Sequence, residues 1–243
     1  MPREELVYGV HATLALFAHR PEAILRVYHV RARREVVAPL LKWCAAHRLP
    51  YREVPDEELA RITKADHSEG VAVAARPLGT VPLESLLSPP DPRAVLLALD
   101  NVGNPHNLGA ILRSAASLGA RGVVARGSEA QARLSPAAVR IAQGAAETVR
   151  VAVVPSLPQA LRTARTAGFT AIGTDSTAGA SLFDAVLPRP AIVVLGSEGE
   201  GLTPEVRKAC DRLVCIPSTG LVQSLNVSVA AGIVLAELWR TRG

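Results

Sequence analysis

Residues 94–118 read AVLLALDNVGNPHNLGAILRSAASL, and this stretch sets the architecture. AVLLAL is an unbroken apolar run of strand length, as expected of a parallel strand buried on both faces. A polar turn follows at Asp100, and from Asn107 to Leu118 the apolar residues Leu108, Ile111, Leu112 and Ala115 recur at helical spacing. Asn107 then reads as the N-cap of that helix. Arg113 sits six residues further on in otherwise apolar surroundings, where a charge requires an ion-pair partner or an open cleft.

Downstream, the same strand–helix unit repeats. GVVA is a strand, and Ser135-Pro136 starts a helix. VRVAVV, FTAIGT, AIVVLG and LVCIP are further strands, with a helix over 157–167 between the first two. Thr203-Pro204-Glu205 has Thr at the N-cap and Pro at the first helical position. A largely apolar helix over 224–240 closes the chain. Alternation of this kind implies an α/β fold, a mostly parallel sheet with helices on both faces.

Upstream, residues 76–93 read RPLGTVPLESLLSPPDPR, with five prolines. Proline resists both helix interior and central strand, so this segment is expected to be a stiff linker. It would separate an N-terminal domain, 1–75, from a larger one, 94–243. The N-terminal part reads as a small α/β domain: helices over 9–18 and 39–47, strands over 24–30 and 71–75. Arg31, Arg33 and Arg34 make a basic knot there, either a solvated loop or a phosphate contact.

Composition narrows the function classes. The chain has 243 residues, is 49% hydrophobic and carries 20% charged residues, so a real core is affordable and global disorder is not expected. No apolar run reaches the ~18–20 residues that span a bilayer. The opening MPREELVYGVHATLALF lacks the basic and long apolar regions of a signal peptide, so a cytoplasmic protein is expected. Cys44, Cys210 and Cys215 have neither disulfide-framework nor zinc spacing, and no metal is expected. A net charge of +5 suits a polyanionic partner, while 3% aromatics argues against base stacking as the main grip.

In open parallel sheets ligands gather beyond the carboxyl ends of the strands. Three loops stand there: LDNVGNPHNLGAILRSA (99–115), VVLGSEGEGLTPEV (193–206) and CIPSTGLVQSLNVSVAAGIVLAE (215–237). Gly196, Gly199 and Gly201 allow close approach of backbone to a ligand, although the spacing fits neither a Walker loop nor a dinucleotide fingerprint. Ser224 and Asn226 are able to cap the last helix, and helix starts welcome polar ligand groups. His106 suits a general base by its ordinary pKa, yet a turn histidine is the preferred reading.

Together the patterns N-x-G-x-x-x-R, L-G-x-E-G-x-G and I-P-x-x-G-x-x-x-S-L-N-V-S resemble the three motifs of the SpoU–TrmH (SPOUT) family of RNA 2′-O-ribose methyltransferases, with no departure. VYGVHATLAL (7–16) and HSEGVAVAA (67–75) are similar to the small RNA substrate-binding domain of its bacterial 23S rRNA guanosine branch, so the resemblance spans nearly the whole chain. It implies an α/β parallel sheet with a C-terminal deep trefoil knot and an N-terminal ribosomal-protein-like (L30e-like) domain. It implies S-adenosylmethionine as cofactor, held around Thr174, Gly196, Gly201, Ile216 and Leu225. Asn107, Arg113, Glu198, Ser224 and Asn226 would form the catalytic cluster. A homodimer that completes the site across its interface and an RNA substrate are implied as well. A tRNA methyltransferase, a resistance-conferring rRNA methyltransferase and a non-catalytic ribosome assembly factor are the alternatives.

Overall fold

The computed structural model describes residues 4–65, 67–127 and 134–241. By packing, the chain divides into two units: one takes the described residues up to Gly79 together with Leu134–Thr148, the other takes the rest. Along the chain run β1 (Glu5–Tyr8), α1 (Val10–His19), β2 (Ile24–His29), α2 (Ala38–Ala46), β3 (Tyr51–Glu53), α3 (Asp56–Thr63), β4 (Val71–Ala75), α4 (Leu83–Leu87), β5 (Val95–Leu99) and α5 (Pro105–Ser117). They are followed by β6 (Gly122–Arg126), α6 (Pro136–Ile141), α7 (Ala145–Thr148), β7 (Arg150–Val154), α8 (Leu157–Thr166), β8 (Thr170–Thr174), β9 (Ala191–Leu195), α9 (Pro204–Ala209), β10 (Arg212–Val214) and α10 (Val227–Arg240).

The first unit holds a mixed four-stranded sheet in the order β1-β4-β2-β3, with β4 antiparallel to both neighbours and β3 parallel to β2. Every residue of the central strand β4 is buried, as two-faced coverage requires. Three elements here were not anticipated. β1 and β3 are too short, at four and three residues, for alternation to show. α3 was hidden by its charge, although Asp56, Glu57 and Glu58 favour the positive end of the helix dipole and Leu59 and Thr63, one turn apart, are its buried positions. Within this unit Arg20 forks onto Glu147 of α7 at 2.6 and 3.0 Å.

The second unit is built on a six-stranded, wholly parallel sheet in the order β10-β8-β9-β5-β6-β7. β5 and β9 are buried along their full length, which is why their sequences are continuous apolar runs rather than alternating ones. Leu96, Ala98, Ile192 and Val194 face one layer, which contains Leu157 and Leu161 of α8. α10 packs on α5 and on β9. The Pro-rich stretch read as a spacer contributes to this core: α4 places Leu83, Leu86 and Leu87 in it. Their i, i+3, i+4 spacing outweighs the flanking prolines, and each buried leucine contributes on the order of 1.5–3 kcal/mol.

The chain runs outward from β5 to β6 and β7, crosses to β8, and returns to fill the gap with β9. The order therefore reverses at the β5–β9 pair, where the register sets Leu99 beside Leu195. Crevices beyond the carboxyl ends at such a reversal are where open α/β sheets bind ligands.

Candidate functional site

Asp100 directly follows β5 and is fully buried. Its Oδ2 accepts from both the backbone N–H of Thr203 (2.7 Å) and the Thr203 hydroxyl (2.8 Å). Thr203 occupies the N-cap position of α9, as its sequence suggests, but its hydroxyl serves Asp100 and not the helix. That tether closes the turn that follows β9. Ser197 and Gly201 exchange backbone hydrogen bonds of 3.1 and 3.0 Å, leaving Glu198, Gly199 and Glu200 as a three-residue tip. Gly196 is required by this turn, because a Cβ there would lie 2.1 Å from the Gly201 carbonyl carbon. Gly199 and Gly201 take positive φ, 89° and 70°.

Glu198 is thereby presented to two carboxamides. Its Oε1 accepts from Asn107 Nδ2 at 2.8 Å, from Asn226 Nδ2 at 2.6 Å and from the Val227 backbone N–H at 3.4 Å. Asn226 Nδ2 also donates to Asn107 Oδ1 at 3.0 Å. The amide orientation of Asn226 is fixed independently, since its Oδ1 caps α10 by accepting from Ser228 and Val229 backbone N–H groups. Three residues 28 to 119 positions apart in sequence thus form one closed network.

Of the expectations about caps, that for α5 is corrected and that for α10 holds for Asn226 but not for Ser224. Asn107 is not the N-cap of α5. Asn104 is, accepting from His106 N–H at 2.9 Å, with Pro105 at the first position, so Asn107 lies inside the helix with its amide free for Glu198. α10 likewise starts at Val227; Asn226 caps it, and Ser224 stands before it, exposed.

Beside this network opens a cavity of about 410 Å³. All five residues expected to hold a cofactor line it: Thr174, Gly196, Gly201, Ile216 and Leu225. Glu198 and Ser224 line it too. Arg113 is not brought into the cluster. It is exposed on α5, does not line the cavity, and has no hydrogen-bond or ion-pair partner among the described residues. The ion pair that would have given it a purely structural role is therefore missing there. His106, exposed at the start of α5, is not part of the network either.

Sequence reasoning passed over Asp100, Asp175 and Arg207. Asp175 and Arg207 line the cavity and pair through Arg207 Nε and Asp175 Oδ2 at 2.5 Å. A carboxylate directly after each of the strands VLLAL and TAIGT was the available signal. The Thr177 hydroxyl and then Arg207 hold the Asp175 carboxyl below the usual aspartate range. All three arginines of the basic knot are exposed; Arg33 Nε donates to the Glu69 carbonyl at 3.0 Å, and Arg34 lies 3.7 Å from the Glu53 carboxylate. Cys44, Cys210 and Cys215 are free thiols, and burial pushes Cys210 up to about 12. Among the described residues no cluster of His, Cys, Asp or Glu suits a metal ion, and no helix is long and apolar enough to cross a membrane.

Comparison with known proteins gives a consistent result. Residues 94–236 match the model of the SpoU rRNA Methylase family, and residues 6–81 match that of RNA 2′-O ribose methyltransferase substrate binding. The chain is 40% identical over 244 residues to a 23S rRNA (guanosine-2′-O-)-methyltransferase RlmB of a Burkholderia species, covering 100% of this chain and 98% of that one. Among solved structures it is similar to an RNA 2′-O ribose methyltransferase (TM-score 0.83, 26% identity, 99% of this chain and 90% of that chain). It is also similar to the SpoU methyltransferase AviRb from Streptomyces viridochromogenes in complex with AdoMet (TM-score 0.81, 26% identity, 98% and 90%).

Proposed function

The chain belongs to the SpoU rRNA methylase family, and on that premise we propose that it is an S-adenosylmethionine-dependent enzyme that methylates the ribose 2′-hydroxyl of a guanosine in 23S rRNA. The observation that carries this reading is the closed Asn107–Glu198–Asn226 network at the edge of a cavity sized for a small-molecule cofactor. The cavity wall suits S-adenosylmethionine. Leu195, Ile216 and Leu225 offer apolar surface for an adenine, the glycine turn offers backbone, and Asp175 with Arg207 offers charge for an amino-acid end. When bound, that cofactor supplies a methyl group on a sulfonium, already a strong electrophile.

What remains for the chain is to position and activate a very weakly acidic hydroxyl. Glu198 Oε1 is saturated by its amide donors, while Oε2 has no partner among the described residues and is the acceptor for the ribose hydroxyl. Asn107 and Asn226 hold that carboxylate, and Ser224 contributes a further hydroxyl at the wall. Arg113 grips a phosphate and stabilises the developing oxyanion; a guanidinium keeps its proton too firmly to act as the base. Because Arg113 stands outside the cavity of its own chain, this role needs a homodimer in which the site is completed across the interface. Exposed apolar residues on α10, Val229 and Trp239, are compatible with such a contact. The deep trefoil knot, the ribosomal-protein-like character of the N-terminal domain and RNA binding by residues 1–75 belong to the same reading, supported by the motif set and by the match to the substrate-binding model.

The test uses purified protein, tritiated S-adenosylmethionine, and unmodified 23S rRNA and bulk tRNA offered separately. Label in one 23S guanosine, lost in Arg113→Ala, is expected. Label in tRNA alone would overturn the rRNA assignment, and tight RNA binding without label would indicate an assembly factor.

A further inference from the structure

Apart from the Glu198 network, the cavity has a second charged feature. Asp175 follows β8 directly, and its backbone N–H donates to the Val214 carbonyl at 2.9 Å, fixing it against β10. Its Oδ1 accepts from the Thr177 backbone N–H (2.7 Å) and hydroxyl (2.6 Å). Its Oδ2 accepts from Arg207 Nε (2.5 Å). Only 13% of the Asp175 side chain is exposed, against 47% of Arg207. Nη1 and Nη2 of Arg207 have no hydrogen-bond partner among the described residues.

A guanidinium held at Nε by a fixed carboxylate loses much of its torsional freedom, and its Nη1/Nη2 edge remains a planar two-donor fork. That edge matches a carboxylate, which takes two parallel N–H···O bonds. The low-lying Asp175 carboxyl keeps the orienting partner charged at neutral pH. Resting on the reading that this cavity holds S-adenosylmethionine, we infer that Arg207 is the anchor for the α-carboxylate of its methionine portion, with Asp175 as the residue that positions the anchor. A nucleoside without that carboxylate then loses the grip. The site selects the cofactor by its amino-acid end as well as by its adenine.

Binding measured by calorimetry tests this without any turnover. The probes are S-adenosylmethionine and decarboxylated S-adenosylmethionine, which lacks only the carboxylate. Wild-type protein is expected to prefer S-adenosylmethionine by about ten- to a hundredfold, the scale of hydrogen bonds to charged groups. Arg207→Ala should weaken S-adenosylmethionine by that factor, leave the decarboxylated probe unchanged and so abolish the preference. Arg207→Lys should restore part of it, and Asp175→Asn should reduce it less than Arg207→Ala does. Equal weakening of both probes in Arg207→Ala would make the pair merely structural and overturn the inference, as would a wild-type protein without preference. Unchanged cofactor binding with weakened RNA binding would also overturn it, by assigning the fork to an RNA phosphate. Failure of wild-type protein to bind either probe is a separate result. It would overturn the cofactor reading, and the inference with it.

Discussion

Two regions of the second unit carry the motif residues, and they are built differently. At the carboxyl ends of β5 and β9, Asn107, Glu198 and Asn226 are locked together by hydrogen bonds of 2.6 to 3.0 Å, and Asn226 is locked again by its duty as a helix cap. On the exposed face of α5, Arg113 has no partner among the described residues. The first region is organised by the chain itself, so its geometry is already set before substrate arrives. The second offers a desolvation-free cation that waits for something outside the chain. On the proposed reading, the site gains its last component only on assembly with RNA and with a second copy.

The sharpest way to break this contrast is Arg113→Ala. Turnover should fall by about a hundredfold or more, as on removal of an oxyanion-stabilising donor, with melting temperature and cofactor affinity unchanged. A large stability loss would mean that Arg113 has a structural partner. Glu198→Gln should do the reverse in kind. It sets an amide donor among donors, so turnover should fall about tenfold and stability by about 1–3 kcal/mol, the cost of an unsatisfied polar group, read in a denaturant titration. Asp100→Ala should cost about the same 1–3 kcal/mol by orphaning the Thr203 donors and should raise the KM for the cofactor more than it lowers kcat, since the Gly196–Gly201 turn loses its tether. The smallest effect is one of pH. The Asp175 carboxyl lies lower in the folded protein than in the unfolded chain. Its stabilisation is therefore present above the unfolded value and lost as pH falls through the folded one. The melting difference between wild type and Asp175→Asn should stay constant from neutral pH down to about 4 and shrink only below that.

Much of the second unit was legible because parallel strands advertise themselves. AVLLAL and AIVVLG are continuous apolar runs, and both became fully buried strands. The linker was misread in part because proline composition was weighed above the Leu83, Leu86, Leu87 spacing, which is a helical period. The cap of α5 was set three residues late, although Pro105 at the first helical position pointed to Asn104. The Asp100–Thr203 tether joins residues 103 positions apart, and no local pattern reports it. Asn107, Glu198 and Asn226 were found through motif resemblance; spacing alone left each ambiguous, because their meeting depends on the reversal of strand order at β5 and β9.

The split between a region built within the chain and one supplied from outside is tested most directly by mixing two impaired variants, Arg113→Ala and Glu198→Ala, under conditions that let subunits exchange, and counting tritium transferred to 23S rRNA above the sum of the two alone. If Arg113 of one subunit completes the Glu198 site of the other, each mixed dimer contains one intact site, and activity should return to a substantial fraction of wild type, at most one half per mixed dimer. If mixing restores nothing although exchange has taken place, Arg113 serves the site of its own chain, and the role proposed for it across the interface is wrong.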